Sequence, residues 1–263
     1  MSEARTADRP VGANRVNGRW LLRFQPRPAA RVRLLCLPGA GAAAAMYRDW
    51  GTRLPARVEV CAVQLPGRGA RLREQPYTEF EPLVDALAAA VLAEPALPTV
   101  LFGHSLGSVI GYELADRLRD SGPHAPLALV AAGHQAPWRG SAGLPYHQLP
   151  DEELAQVLVA LGGTPEAVLA KPELLRLALP ALRADFALDY GYRHRRRPAL
   201  AIPVTVYGGL DDPTVDEAGL AAWHQHTGAG FRLRMLPGGH FFPAEPAGAE
   251  LLAELGAELA RLG

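Results

Sequence analysis

Cysteine and lysine are almost absent from this sequence of 263 residues. The two cysteines, Cys36 and Cys61, both fall in apolar, strand-like runs, where a free cysteine behaves as a small buried hydrophobic residue. We therefore expect two buried thiols in a reducing cytosol and no disulfide. Lys171 is the only lysine, so the basic residues are nearly all arginine. Together with the abundance of Ala, Leu, Gly and Pro in the chain, this indicates a GC-rich coding bias rather than a functional demand.

Net charge and long apolar runs are lacking as well. The chain has 27 basic and 27 acidic residues, so its formal net charge is zero, which argues against a broad electrostatic surface for nucleic acid. No uninterrupted apolar run approaches the roughly 18 residues of a membrane-spanning helix, and the first residues lack the apolar core of a secretory signal. We expect a cytoplasmic monomer with a mobile tail over 1–17 and a single domain over 18–263.

What the chain does contain is an alternation of strand-like and helical segments. From the second strand-like run onward this order is typical of an α/β fold, with a mainly parallel central sheet and helices on both faces. The strand-like runs lie near 19–24, 31–37, 58–64, 98–103, 127–132, 203–208 and 231–236. The helical patterns outside the segment from 134 to 198 lie near 80–94, 106–120, 215–226 and 246–262.

The pentapeptide Gly-His-Ser-Leu-Gly at 103–107 matches the G-x-S-x-G nucleophile elbow of α/β-hydrolases. An apolar run from Leu97 to Phe102 leads into it, and a helical pattern follows it. In that context the serine projects its hydroxyl from a sharp turn, and the flanking residues are glycines because a larger side chain would collide with its neighbours. Ser105 is therefore the candidate nucleophile.

A pair of acids and a histidine follow in the order that this arrangement requires. The run over 202–208 ends in a Gly-Gly pair before Asp211 and Asp212, and the last strand-like run ends in Pro-Gly-Gly before His240. We expect His240 to take the proton of Ser105, while an acid fixes the tautomer of the histidine and stabilises the imidazolium. The register of the strand–loop–helix pattern favours Asp212 for that third role, and Asp211 is the alternative or a turn former.

Acyl transfer also requires hydrogen-bond donors for the oxyanion. The backbone N–H of Leu106 follows the nucleophile and is the first candidate. The second candidate is the amide of Ala40 in the Pro-Gly-Ala-Gly loop at 38–41, whose small residues let the backbone approach a substrate closely. An ordinary Gly-Pro turn is the alternative interpretation of this loop.

Between about 134 and 198 the alternation stops, and a helical lid insertion is predicted. Helical stretches are expected over 151–161, 165–170 and 172–190, in the place where an α/β-hydrolase carries its lid. The apolar stripe of the first stretch either lines an acyl channel or packs the lid onto the body. The same alternatives, passage or core, hold for four aromatic residues, Trp138, Tyr146, Phe186 and Tyr190.

Seven segments carry a resemblance to a known family. They are Cys-Leu-Pro-Gly-Ala-Gly at 36–41, Met-Tyr-Arg-Asp-Trp at 46–50, Gln-Leu-Pro-Gly-Arg-Gly-Ala-Arg at 64–71, Gly-His-Ser-Leu-Gly at 103–107, Leu-Pro-Ala-Leu-Arg-Ala-Asp-Phe at 179–186, Tyr-Gly-Gly-Leu-Asp-Asp-Pro at 207–213 and Leu-Pro-Gly-Gly-His-Phe-Phe at 236–242. On these segments the chain resembles type II thioesterases, the stand-alone α/β-hydrolases that accompany polyketide and nonribosomal peptide synthases. One departure is that Gly41 is followed by Ala42, whereas the family usually carries a Gly-Gly pair after the alanine of this loop.

The resemblance implies hydrolysis of acyl thioesters on the phosphopantetheine arm of an acyl carrier protein or peptidyl carrier protein. The implied role is editing, the removal of stalled or incorrect acyl groups, and it requires neither a metal ion nor an organic cofactor. The phosphopantetheine would belong to the substrate. A carrier protein is acidic, so the arginine-rich run is either its docking site or solvated surface, and Arg68, Arg71 and Arg73 are a second candidate. The run comprises Arg193, Arg195, Arg196 and Arg197.

Three other functions compete with this one. A generic carboxylesterase or lipase would use the same triad on oxygen esters. An acyltransferase or macrocyclising thioesterase domain is a second alternative, although we expect such a domain to be fused to a carrier segment. A noncatalytic binding homologue is the third, and such proteins typically lose a member of the triad. Partners in the form of nucleic acid or membrane are not expected.

Overall fold

A seven-stranded sheet forms the centre of the part of the chain that this computed structural model describes, residues 19–139, 145–162 and 171–262. The predicted tail over 1–17 and the predicted helical stretch over 165–170 lie outside the described residues. The strands are β1 (Leu21–Leu22), β2 (Val32–Leu37), β3 (Val58–Val63), β4 (Thr99–His104), β5 (Ala128–Ala132), β6 (Val204–Gly209) and β7 (Phe231–Leu236).

The strands follow the order β1-β3-β2-β4-β5-β6-β7. Only the short β1 pairs antiparallel, with β3, and the other pairs are parallel, so the predicted mainly parallel sheet is confirmed. Strands β2 to β6 are buried along their whole length. Burial on both faces explains why they appear in the sequence as continuous apolar runs, whereas the exposed edge strand β7 alternates.

Helices cover both faces of the sheet. On one face α2 and α3 contribute Leu87 and Ile110 to the core. On the other face α1 packs beside α7, whose Leu251, Leu255 and Leu259 recur at a spacing of four residues and so form one apolar stripe. The helices are α1 (Trp50–Arg53), α2 (Phe80–Leu92), α3 (Leu106–Arg117), α4 (Asp151–Leu161), α5 (Pro172–Gly191), α6 (Glu217–Ala221) and α7 (Gly248–Leu262). None of the described helices is long and apolar enough to span a membrane.

Both cysteines are free thiols with no exposed surface. Cys61 lies opposite Leu35 in the pairing of β2 with β3, so Cys36, one residue further along β2, points to the other face of the sheet. Burial raises the pKa of the Cys36 thiol well above its usual value and that of Cys61 to about 12. Two buried, protonated thiols on opposite faces are in agreement with the sequence prediction.

Helices α4 and α5, which we call the lid helices, lie between β5 and β6 in the chain. Their facing sides form a small core of their own, in which Leu154 and Leu158 of α4 pack with Leu179 and Leu182 of α5. Helix α4 coincides with the predicted stretch over 151–161, and α5 extends the predicted stretch over 172–190 by one residue. The lid segment is thus helical wherever the structure describes a regular element in it.

Candidate active site

Loops from five strands meet at one edge of the sheet, because the carboxyl ends of parallel strands point the same way. The pairing sets Leu37 beside Gly103 and His104 beside Ala132, so β2, β4 and β5 end side by side. Strand β6 ends opposite Leu236 of β7. The next residues along the chain therefore converge. They are the loop 38–41, Ser105, the pair 133–134, the loop 210–214 and the loop 237–240.

Ser105 occupies the sharp turn between β4 and α3. Among the described residues it is the only non-glycine with a positive φ, at φ 54° and ψ −126°. Such a backbone typically costs about 1–3 kcal/mol and persists where its surroundings hold it in place. A Cβ at Gly103 would lie 2.2 Å from the Gly107 oxygen, and one at Gly107 would lie 2.2 Å from the Leu37 oxygen. Both flanking glycines are therefore required by close backbone contact.

Ser105, His240 and Asp212 form a continuous hydrogen-bonded chain. The Oγ of Ser105 is 3.0 Å from Nε2 of His240, and the Nδ1 of His240 is 2.8 Å from Oδ2 of Asp212. Asp212 and His240 are buried, whereas the neighbouring Asp211 is exposed. The structure thus brings the three predicted residues together in the geometry of a Ser-His-Asp triad, and it leaves the alternative acid outside.

Thr214 completes the environment of Asp212. It was not identified from the sequence as a residue of the site. Its backbone N–H and its hydroxyl both donate to Oδ1 of Asp212, at 2.8 and 2.7 Å. Burial by itself raises the pKa of Asp212, but the hydrogen bonds from His240 and Thr214 outweigh it, so the pKa lies below its ordinary value. The carboxylate stays ionised beside the histidine. An aspartate two residues before a threonine is a common turn pattern, and that was the available signal.

His104, the second residue of the elbow, is also missing from the predicted site. Its Nε2 lies 2.8 Å from the backbone oxygen of His240 and therefore donates to it. Burial is the main cause that lowers the pKa of His104 to about 3, so the ring is neutral and its Nε2 carries the proton. The described residues offer its buried Nδ1 no hydrogen-bond partner. His104 fixes the backbone of the residue that faces the nucleophile.

The two amides predicted for the oxyanion hole flank Ser105. Leu106 is the first residue of α3, where a helix leaves its N–H groups without an intrahelical acceptor. Ala40 lines the same cavity as Ser105, and a Cβ on its neighbour Gly39 would lie 3.2 Å from the Ser105 Cβ. The loop 38–41 therefore runs directly against the nucleophile. The next amide, of Gly41, donates to Asp185 at 2.7 Å and is already occupied.

A cavity of about 340 Å³ opens at Ser105 and His240. Its wall is largely apolar, and most of the apolar residues come from the lid helices. Leu158 lines the cavity and also packs in the lid core, whose buried members all belong to the lid helices. The cavity alternative for the apolar stripe is therefore supported, whereas the packing that the structure shows is between the two lid helices. The lid residues in the wall are Leu158, Leu161, Leu175, Ala178, Leu182 and Phe186.

The four aromatic residues proposed for a substrate passage have different places. Phe186 lines the cavity, and Tyr146 packs against it with ring centroids 5.4 Å apart. Trp138 and Tyr190 are 47% and 40% exposed and are absent from the cavity wall. The passage interpretation is therefore supported for Phe186 alone. No group of three or more potential metal ligands occurs in the described ranges.

The arginines proposed for carrier docking fall into two groups, one buried or paired with acids and one exposed. Arg68 and Arg71 are buried, so neither presents its charge to a partner, and the prediction for them is wrong. Arg73, the third residue of that candidate, is exposed, and for it docking stays a prediction. Arg197 pairs with Glu113 and Asp116 and lies over the ring of Tyr112.

Three arginines of the run remain on the surface. Arg193, Arg195 and Arg196 are exposed, and Arg195 lies 3.1 Å from Glu81. Within this run, these three are the arginines that a partner could reach.

Comparison with known proteins shows which family the chain resembles. The family model of the thioesterase domain matches residues 32–257. The chain is 37% identical over 224 residues to the gramicidin S biosynthesis protein GrsT of Aneurinibacillus migulanus, covering 85% of this chain and 88% of that protein. RedJ, the thioesterase of the prodiginine pathway of Streptomyces coelicolor, has a similar structure, with TM-score 0.84, 39% identity and coverage of 89% and 92%. The type II thioesterase BorB of the borrelidin cluster gives TM-score 0.82 at 38% identity, with coverage of 90% and 97%.

Proposed function

The chain belongs to the thioesterase family and is a hydrolase of thioesters, and from that premise we propose that it cleaves acyl groups from the phosphopantetheine arm of a carrier protein. One observation carries the proposal. The Ser105 hydroxyl, 3.0 Å from the His240 imidazole, opens into an apolar cavity walled by the lid helices. Such a cavity suits an acyl chain, while the serine at its end suits attack on the thioester carbonyl.

The chemistry begins with two coupled transfers. The Ser105 proton passes to Nε2 of His240 as Oγ bonds to the thioester carbon, and the carbonyl oxygen becomes an oxyanion. The amides of Leu106 and Ala40 are the proposed donors to that oxyanion. When the tetrahedral intermediate collapses, the carbon–sulfur bond breaks and the leaving thiolate takes the proton from His240. An acyl ester on Ser105 remains.

Water then completes the cycle. His240 removes a proton from a water molecule, the resulting hydroxide attacks the ester carbon, and a second oxyanion forms in the same place. Its collapse breaks the bond to Oγ, which recovers the proton from His240, and a carboxylic acid leaves. Asp212 remains a carboxylate throughout, because its role is to orient the imidazole and to stabilise its positive charge.

The names of the relatives indicate the biological setting. GrsT, RedJ and BorB are associated with gramicidin S, prodiginine and borrelidin biosynthesis. We infer that this chain serves a modular synthase of the same general kind as an editing hydrolase, and that its partner is an acyl or peptidyl carrier protein. The exposed Arg193, Arg195 and Arg196 are the proposed contact for the acidic carrier.

The test compares the release of each acyl group from three leaving groups: a carrier protein, cysteamine and an alcohol. Carrier proteins loaded with short, medium and branched acyl chains are incubated with the protein, and released acids are measured by mass spectrometry beside the matched acyl-cysteamine and oxygen ester. We expect release from the carrier, with higher kcat/KM for the thioesters than for the oxygen ester. Ser105→Ala should lose on the order of a million-fold in turnover.

Two outcomes would contradict the proposal. Carrier-bound acyl groups left intact while the oxygen ester turns over would favour the carboxylesterase alternative. A Ser105→Ala variant that keeps more than about a tenth of the wild-type rate would remove Ser105 as the nucleophile.

A further inference from the structure

Asp185 on the lid helix α5 is a deeply buried acid, at 1% exposure. Both of its oxygens pair with the guanidinium of Arg68, and Arg68 Nη2 lies 2.8 Å from Oδ1. Its Oδ2 also accepts the backbone N–H of Gly41 at 2.7 Å. One carboxylate thus joins the lid, the loop after β3 and the loop 38–41.

Arg68 is fixed from the other side as well. Its Nε donates to the Pro66 oxygen at 3.2 Å, and its Nη1 to the Ala42 oxygen at 3.4 Å. Removing two charges from water costs several kcal/mol per ion, and a buried pair of this kind often adds little net stability compared with apolar residues of the same volume. The value of the pair is then better sought in what it positions than in what it adds to the free energy of unfolding.

What it positions is the strip of backbone beside Ser105. Gly41 has φ +73°, and a Cβ there would lie 2.6 Å from Leu182 Cδ1 of the same lid helix. A Cβ on Gly39 would lie 3.2 Å from the Ser105 Cβ, so this residue runs close to the nucleophile. Ala40 is therefore held between a residue packed on the nucleophile and a residue bonded to Asp185. With the peptide planes on both sides constrained, the direction of the Ala40 N–H is set.

We propose that Asp185 is a positioning residue for the oxyanion hole, which orients the Ala40 amide by holding the Gly41 amide and so makes this donor depend on the docked lid helix α5. The proposal rests on the proposed function, in which Ser105 attacks and Ala40 donates. It follows that α5 stays docked while the tetrahedral intermediate exists.

Two double variants separate positioning from charge. Arg68→Met with Asp185→Leu removes both charges together and leaves the Gly41 amide without its acceptor. Arg68→Gln with Asp185→Asn also removes both charges, but it keeps an amide oxygen that can accept from Gly41. Neither leaves a buried charge unpaired, the main reason that a single substitution here would unfold the protein. Near-ultraviolet circular dichroism and the Tm of each variant establish that it is folded.

We expect the Met/Leu variant to lose about 10–100-fold in kcat on an acyl-cysteamine thioester with KM nearly unchanged, somewhat less than the 10²–10³-fold typical when an oxyanion donor is deleted. The Gln/Asn variant should recover most of that loss. Affinity for a trifluoromethyl ketone analogue of the thioester, which forms a tetrahedral adduct, should fall by the same factor as kcat/KM.

A folded Met/Leu variant with kcat within about threefold of wild type would overturn the proposal. Equal losses in both variants would overturn it as well. In either case the rate would not depend on whether the Gly41 amide has an acceptor. If the Met/Leu variant does not fold, a Gln/Asn variant with wild-type kcat and wild-type analogue affinity supports the proposal, and one that loses both overturns it.

Wild type and Ser105→Ala are measured in the same assay as controls for the proposed function. If those two fail to differ, the proposed function is at fault; if they differ as expected, the result bears on Asp185 alone.

Discussion

Asp211 and Asp212 are neighbours in the chain but lie in opposite environments. The backbone N–H of Asp211 donates to the Gly238 oxygen at 2.9 Å, while its side chain is exposed. Asp212 is 6% exposed and bonds to both His240 and Thr214. A carboxylate can hold the imidazole in one tautomer only if it contacts the ring, and Asp212 alone does so.

Exchange of each acid for its amide tests this difference. Asp212→Asn should lower kcat by about 10⁴, because the amide no longer enforces the tautomer in which Nε2 can accept the serine proton. Asp211→Asn is the matched control and should stay within about threefold of wild type. Steady-state rates on an acyl-cysteamine thioester provide the comparison. Losses of similar size, or a larger loss in the Asp211 variant, would reverse the assignment.

Helix α5 is attached to the body along its C-terminal half. Besides Asp185, it carries Asp189, whose Oδ1 is 3.0 Å from Nε2 of His134 at the end of β5. Just after the helix, the Tyr192 hydroxyl donates to Glu113 at 2.6 Å. These side chains contact the loop after β3, the loop 38–41, the end of β5 and helix α3, so this half of the helix behaves as part of the body. Helix α4 contributes Leu154 and Leu158 to the lid core that it shares with α5.

The contact between His134 and Asp189 should make the stability depend on pH. Burial by itself lowers the pKa of His134, but the hydrogen bond and the charge of Asp189 outweigh it and raise the pKa above its ordinary value. A raised pKa in the folded state stabilises the protein below the unfolded pKa of about 6.5, and that contribution is lost as pH rises through the folded value.

Urea unfolding of wild type and His134→Gln at pH 5.5 and pH 8.5 measures the contribution. The free energy of unfolding of wild type should exceed that of the variant by more at pH 5.5 than at pH 8.5. Asp189→Asn should reduce the same pH-dependent difference, because it removes the charge that raises the pKa. An advantage that is constant or larger at pH 8.5 would show that the contact is not an ion pair.

The positions of the main strands could be predicted because strands buried on both faces consist of short apolar runs that are recognisable in the sequence. Element ends were less predictable, since they depend on packing. The run near 19–24 yields only the two-residue β1. The predicted helix over 215–226 divides into α6 and a 3-10 helix over Ala222–His226. The indole of Trp223, fully buried in the second part, donates to the His134 oxygen at 2.8 Å, which ties this turn to the end of β5.

The three residues of the candidate triad were predictable because each follows a recognisable strand and turn. The supporting residues were not, since their roles depend on contacts between distant parts of the chain. Asp185 meets Gly41 across 144 residues, and His104 meets the His240 backbone across 136. For the same reason Arg68 and Arg71 were misread as surface charges. Burial of an arginine depends on its partner, and Arg68 finds Asp185 only in the folded chain.

At the scale of the whole molecule, the formal net charge is zero, so the proposed recognition of a carrier would depend on local charge. The groove beside the run 193–197 is mixed in sign, because Glu79, Glu81, Glu113 and Asp116 line it together with the arginines. Arg197 is engaged with two of these acids. An acidic partner would therefore meet mainly the exposed Arg193, Arg195 and Arg196.

Neutralising those three arginines to Gln should raise KM for acyl-carrier substrates several-fold and leave acyl-cysteamine turnover nearly unchanged. Salt should weaken the wild-type preference for the carrier, since the screening length falls from about 10 Å at 0.1 M to about 3 Å at 1 M. Arg31, Arg53 and Arg57, exposed near the amino ends of β2 and β3, provide a control with the same change in charge. Equal effects of the two triple variants, or no effect of either, would place carrier recognition elsewhere.

The burial of Cys36 and Cys61 keeps the protein's own thiols from reacting with its thioester substrates. Every turnover of a thioester liberates a thiol, and thiols exchange acyl groups and react with disulfide reagents through the thiolate. The protein's own two thiols are buried and protonated. An acyl group held near Ser105 therefore has no protein thiolate to migrate to. A chromogenic disulfide added to the reaction therefore reports only the released thiol. The hydrolysis can be followed continuously, with the folded protein without substrate as the blank.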